Sequence, residues 1–182
     1  DRSLVRIQGM RNLIMDMLDL TKIESGKPVQ HLSKVDLLQI ARTALDTMRP
    51  YAIQKDVDMY LNSKDKIEIT ADPGEIEIIF NNLISNAVKY NKQGGRVDCS
   101  IVAEKNNVKI EITDTGIGMA EEDQLNIFQD FVRIKNPETK NITGSGLGLS
   151  IVKKIVDMYK GEITLHSIPG KGSTFIITIP NN

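Results

Sequence analysis

The chain has 182 residues, 40% of them hydrophobic, which is enough for one good core and a small appendage. Its 23 Lys and Arg against 24 Asp and Glu leave a net charge of -1, so there is no whole-chain electrostatic case for nucleic acid or an anionic membrane. No apolar run approaches the ~20 residues that span a bilayer, the opening Asp1-Arg2-Ser3 does not read as a signal peptide, and the lone Cys99 excludes an internal disulfide.

In residues 1–25, Leu4, Ile7, Met10, Leu13, Ile14, Met17, Leu18, Leu20 and Ile23 recur at three- and four-residue steps, which predicts a long amphipathic helix in want of a partner helix. Gly26 and Pro28 mark its stop. A linker over 28–34 leads to a helix over 36–48, with Pro50 soon after it. Strands are expected at 57–61 and 67–70, then a helix over 73–92 that Asp72 caps and Pro73 opens. Alternating strands follow at 97–103 and 108–113, with Cys99 on the buried face of the first as a structural thiol. A helix over 147–159 precedes two last strands, 162–166 and 173–179. The fold class is therefore α/β: a two-layer sandwich of a mixed sheet covered by helices, preceded by one long helix.

Within the helix after Asp72, Asn82, Asn86, Lys89 and Tyr90 fall on one side while Leu83, Ile84 and Ala87 face the core. Amide oxygens suit a hard cation that shares phosphate oxygens, and a lysine neutralises phosphate charge. Taken alone, the same face also reads as a plain solvated one. Asp114-Thr115-Gly116-Ile117-Gly118-Met119 stands where a strand runs out, so its glycines admit a flat ligand and Asp114 can accept from an exocyclic amine. Gly144-Ser145-Gly146-Leu147-Gly148 opens the 147–159 helix, whose N-terminal N–H groups can meet a polyphosphate. Gly170-Lys171-Gly172-Ser173-Thr174 reads equally as a hairpin turn or a ligand-side loop. Leu149 stands where a dinucleotide fingerprint needs its last glycine, no Gly-Lys-Ser/Thr order is present, and neither His-Arg-Asp nor Asp-Phe-Gly occurs. These absences exclude Rossmann, P-loop and eukaryotic-type kinase readings.

Taken in order, these segments resemble the N box (82–90), G1 box (114–118), F box (Phe128-Gln129-Asp130-Phe131), G2 box (144–148) and G3 box (170–174) of sensor histidine kinases. Residues 18–27 look like the end of that family's second dimerisation helix, so the resemblance covers nearly the whole chain. It implies a domain order of second dimerisation helix (1–27), linker (28–34) and ATP-binding catalytic domain (35–182). It also implies ATP and Mg2+ as cofactors, with Asn86 as the metal ligand, Asn82 assisting at metal and phosphates, Lys89 on phosphate and Tyr90 on the sugar or adenine. Asp114 would read adenine in a pocket shaped by Gly116, Ile117 and Gly118, while Gly144, Ser145, Gly146, Leu147 and Gly148 would give the phosphate-side backbone. Thr174 would help hold water near Asp114, and residues 132–143 would form a lid with Phe128 and Phe131 as its core anchors. Arg133 or Lys140 would either reach the γ-phosphate or stand as a solvated lid charge.

The related ATPases and serine kinases of the gyrase-like superfamily are similar in carrying a glutamate general base four residues before the metal-binding asparagine; here that position is Asn82. An amide cannot take a proton at neutral pH, so the resemblance implies transfer to a histidine rather than ATP hydrolysis or serine phosphorylation. Neither His31 nor His166 fits a phosphoacceptor helix, and both are expected to be structural or exposed. The expected partners are then the phosphoacceptor helix of the full-length kinase and a response regulator receiver domain. The full-length protein is expected to be a homodimer, and the location cytoplasmic with any membrane anchor outside these residues. A nucleotide-gated interaction module without kinase activity is the alternative, and an anti-sigma-type serine kinase or ATPase is disfavoured by Asn82.

Overall fold

The computed structural model describes residues 2–24, 30–63, 65–134, 137–140, 142 and 144–181. The expected helix stop at Gly26 and Pro28, and Lys135, Asn136, Asn141 and Thr143 of the expected lid, lie outside the described residues. Helix α1 (Arg2–Glu24) is followed by β1 (Ser33–Asp36), α2 (Leu37–Gln54), β2 (Asp58–Asn62), β3 (Glu68–Ala71) and α3 (Pro73–Lys89). The chain continues through β4 (Arg96–Ala103), β5 (Asn107–Asp114), α4 (Glu121–Gln124), α5 (Gly148–Met158), β6 (Glu162–Ile168) and β7 (Gly172–Pro180).

Five strands form one sheet in the order β2-β4-β5-β7-β6, and it is mixed because β2 runs parallel to β4 while every other pair is antiparallel. Period-two alternation gives this sheet one buried face, built from Val97, Cys99 and Ile101 of β4, Val108, Ile110 and Ile112 of β5, and Phe175, Ile177 and Ile179 of β7. Against it lie Ile76, Ile79, Phe80, Leu83 and Ile84 of α3 and Ile151, Val152, Ile155 and Val156 of α5. The α/β sandwich expected from the pattern is the observed one. Burial pushes the Cys99 thiol up to about 12. Cys99 is therefore expected to stay unmodified by a thiol reagent at pH 8 in the native protein and to react only after unfolding, which a colorimetric thiol assay with and without denaturant checks.

The expected start of α3 at Asp72 and Pro73 is observed, and α2 is capped in the same way by Asp36. Asp36 accepts from Leu38 N and Gln39 N at 3.0 and 3.3 Å, and Asp72 accepts from Gly74 N at 2.9 Å with Pro73 in the first turn. Helix α2 differs from expectation in running through Pro50 to Gln54. Ala52, in the turn past the proline, is buried in the core, and this packing outweighs the hydrogen bond that Pro50 cannot make. The expected linker is also shortened, because Ser33 and Lys34 belong to β1, which pairs antiparallel with β3 in a separate two-stranded sheet.

Helix α1 touches the sandwich chiefly at α5, with Leu20 buried and Ile23 half-buried against the core. Ile7, Met10, Leu13, Ile14, Met17 and Leu18 are exposed. Among the described residues, no helix is long and apolar enough to cross a membrane.

Candidate functional site

A cavity of about 960 Å³ opens where the C-terminal end of β5, helix α3 and the N-terminus of α5 converge. Asn82, Asn86, Lys89 and Tyr90 line one wall, Asp114, Ile117 and Gly118 another, and Gly144, Ser145, Gly146 and Gly148 a third. Eleven of the residues singled out in the sequence thus share one concavity.

Asp114 is only 7% exposed. Its Oδ1 accepts from Gly116 N at 2.7 Å, and the backbone N–H of Ser173 also donates to the carboxylate. Burial pushes its pKa up to about 6, against the pull of those two donors. Gly116 itself is buried rather than on the cavity wall. A Cβ there would fall 2.3 Å from Tyr90 O and 2.7 Å from Asp114 Oδ1, so glycine is what lets this loop cross beneath the end of α3. The crossing is fastened by Ile117 N donating to Tyr90 O at 3.1 Å. Asn91, which the sequence reading passed over, buttresses the same crossing: its Nδ2 donates to Arg96 O at 2.9 Å and its Oδ1 accepts from Lys92 N at 3.0 Å.

On α3, Asn82 Nδ2 donates to Ile78 O at 2.9 Å, which leaves Oδ1 packed against Gly148 of α5. Desolvation lowers the pKa of Lys89, and the Asp16 carboxylate on α1 opposes that shift. Lys55, at the C-cap of α2 and marked by no motif in the sequence, donates to Lys89 O at 2.6 Å and so satisfies a C-terminal carbonyl of α3. Leu147, at the N-cap of α5, supplies no side-chain cap, and the first-turn N–H groups of a helix have no acceptor within it. Gly148 and Leu149 of that turn line the cavity, where the positive end of the helix favours an anion.

Three expected site residues are placed elsewhere. Leu147 is fully buried in the core, since it is the apolar residue that seats the start of α5, and its backbone N–H is taken by Ser145 Oγ at 3.1 Å. Thr174 lies on the opposite face of the sheet from Asp114: Asp114 stands across from Ser173, while Thr113 stands across from Thr174 with their hydroxyls 3.1 Å apart. Side chains alternate along a strand, so the neighbour of Asp114 is Ser173, which lines the cavity. Gly116 is the third, as described above.

The expected lid contributes Val132, Arg133, Ile134 and Thr139 to the cavity. The Arg133 guanidinium donates to Ile142 O, and buried Thr139 donates to Ile134 O at 2.7 Å, so this segment is tied across itself. Phe128 packs edge-on against Phe175, with ring centroids 6.4 Å apart, and holds the lid base to the core. Phe131 is not a second core anchor: at φ 63° and 60% exposed, its side chain is turned outward. Asp130 holds the segment to α5 instead, through Ser150 and through Lys154 at 3.0 Å. His31 and His166 are both exposed and neither lines the cavity. From α1, however, Met15, Asp16 and Asp19 do line it, and no chemical motif in the sequence marked them.

A buried carboxylate at one end, with a lysine, two amides and a helix N-terminus at the other, can hold a flat base with an exocyclic amine joined to a polyanion. The chain is 36% identical over 177 residues to the circadian input-output histidine kinase CikA of Synechococcus elongatus, a match that covers 95% of this chain and 23% of that protein. The structure of ShkA in complex with AMPPNP is similar with a TM-score of 0.80 at 27% identity, covering 93% of this chain and 35% of that one. The Acinetobacter baumannii histidine kinase AdeS shares the fold with a TM-score of 0.81 at 24% identity, covering 98% and 82%. The chain spans 23%, 21% and 44% of the length of the first curated relatives it matches. Residues 71–182, which carry α3, Asp114 and every glycine loop, match the family described as histidine kinase-, DNA gyrase B-, and HSP90-like ATPase, and the chain belongs to that family.

Proposed function

We propose that this chain binds Mg-ATP and donates the γ-phosphoryl group to a histidine on a separate dimerisation helix in two-component signal transduction. The observation that carries this reading is the polarity of the cavity, with a buried anion at the β5 end and cationic and N–H donor groups at the α3 and α5 end. Adenine lies against Asp114, framed by Ile117 and Gly118 with Tyr90 beside it, and the phosphates meet Lys89, the loop 144–146 and Gly148. Residues 1–27 serve as the second dimerisation helix, 28–32 as the linker and 33–182 as the catalytic domain. The full-length protein is a cytoplasmic-facing homodimer that passes the phosphoryl group to a response regulator receiver domain.

Among the described residues there is no group of three or more His, Cys, Asp or Glu that could hold a metal ion. The cavity offers the Asn86 and Asn82 amide oxygens instead, a donor set that fits Mg2+ arriving with phosphate oxygens and not a free ion. When bound, Mg2+ supplies charge neutralisation on the phosphates. Asn82 takes no proton, and none needs to be taken from the attacking nitrogen, since a neutral imidazole already presents a lone pair there; the proton on its other ring nitrogen leaves to solvent after transfer. The imidazole nitrogen forms the N–P bond as the bridging P–O bond to ADP breaks, and the protein contributes positioning and charge.

Isothermal titration with Mg-ATP tests this directly. Saturable binding is expected, with Asn86→Ala weakening it by roughly 10-fold and removing its dependence on Mg2+; an absence of binding heat in the wild type would end the proposal. The exposed apolar residues of α1 favour a second reading, a nucleotide-gated module that docks on a partner. It prevails if Mg-ATP binds but a dimerisation-helix peptide carrying the acceptor histidine is never phosphorylated.

A further inference from the structure

Helix α1 reaches the cavity at its phosphate end. Asp16 Oδ2 accepts from Ser145 Oγ at 2.5 Å, and that hydroxyl in turn accepts from Leu147 N at 3.1 Å at the entry to α5. Asp16 also lies close enough to Lys89 for its charge to act on the ammonium. A carboxylate and a phosphate are both acceptor-only anions at neutral pH, with the same preference for a hydroxyl, an ammonium and a helix N-terminus. Asp16 thus stands among the donors that a polyphosphate requires.

We propose that Asp16 makes α1 an anionic latch over the phosphate end of the cavity, so that nucleotide phosphates and α1 compete for Ser145 and Lys89. This rests on the Mg-ATP reading of the site. The helix is suited to let go, because among its described side chains the apolar ones held against the core, Leu20 and Ile23, sit near one end, while Ile7, Met10, Leu13 and Ile14 are exposed. Linkage makes the coupling reciprocal: if the phosphates weaken the hold of α1, an engaged α1 weakens phosphate binding by the same factor. A dimerisation helix that moved would then report nucleotide occupancy, and its position would set nucleotide affinity.

The test titrates the whole chain with two probes, Mg-ATP and adenosine, in the wild type, Asp16→Asn and Asp114→Asn. Asn keeps the size of Asp16 and removes its charge. Asp16→Asn is expected to tighten Mg-ATP binding by roughly 10-fold, inside the usual 5- to 150-fold range of such couplings. Adenosine, which carries no phosphate, is expected to bind Asp16→Asn and the wild type equally. In the wild type, saturating Mg-ATP is further expected to speed hydrogen exchange in residues 10–20 of α1, and adenosine to leave it unchanged. Equal Mg-ATP affinity of Asp16→Asn and wild type, or an equal gain for adenosine, overturns the latch. If Asp114→Asn still weakens Mg-ATP in that case, the nucleotide site stands and the latch alone has failed. If the wild type binds no Mg-ATP, both fall.

Discussion

Asp114→Asn is expected to weaken Mg-ATP binding by roughly 10- to 100-fold, the loss that follows from removing a charge-assisted hydrogen bond in a buried site. The carboxylate already accepts from Gly116 N and from the backbone of Ser173, and it has lone pairs left for an exocyclic amine. An asparagine keeps one acceptor oxygen and turns its NH2 toward one of these donors, so at least one pair becomes donor against donor. Titration calorimetry on the folded variant reads the effect, and an unchanged Kd would show that Asp114 does not read the base. The wild type should show the same dependence through pH, losing affinity as protonation neutralises Asp114 below about 6.

That raised pKa also carries a stability cost with a definite sign. Between its ordinary value of 3.8 and about 6 the folded chain holds a proton on Asp114 that the unfolded chain has released. The stabilisation by the neutral form is fully present below about pH 4 and is lost as pH rises through about 6, a change on the order of 3 kcal/mol. Urea unfolding at pH 4.5 and pH 7.5 should therefore give a wild-type to Asp114→Asn difference that moves in favour of the variant at the higher pH. A difference independent of pH would mean that the carboxylate is not buried as charge. An anion kept here at such a cost, with no cationic partner among its hydrogen bonds, is what a binding site requires and a core does not.

Elements with strong periodicity were legible in the sequence: α3, α5 and the alternating strands β4, β5 and β7 stand where the pattern placed them, within a few residues. What escaped has particular causes. Ser33-Lys34-Val35-Asp36 carries a single apolar residue, so β1 shows no alternation, and it forms because β3 presents a partner in space. Pro50 signals a stop that the burial of Ala52 overrides. Ser173 and Thr174 are adjacent and chemically alike, and only strand register assigns Ser173 to the face of Asp114; an error of one residue there exchanges the two faces. Asp16 is an ordinary charge on an amphipathic helix until the fold sets it against Ser145 from 129 residues away.

Gly148→Ala is expected to destabilise the protein by about 1–3 kcal/mol and to weaken Mg-ATP binding at least 10-fold, against the helix propensity that favours alanine by roughly 1 kcal/mol. A Cβ at this position would fall 2.2 Å from Asn82 Oδ1 and 3.1 Å from its Cγ. Asn82 cannot simply swing aside, because its Nδ2 is held by Ile78 O, so either that bond breaks or α3 and α5 move apart and open the core between them. Gly144→Ala, in the same glycine-rich run, meets nothing within 4 Å and should leave stability within about 0.5 kcal/mol. The contrast isolates the cause, and an Asn82→Ala background completes it: with the amide gone the Cβ has room, so Gly148→Ala should then cost less than about 0.5 kcal/mol. Strict additivity of Asn82→Ala and Gly148→Ala in urea unfolding would show that the two residues do not meet. The expected coupling means that the loop before α5 and the amide face of α3 are set by one contact, so neither wall of the phosphate end can be moved without the other.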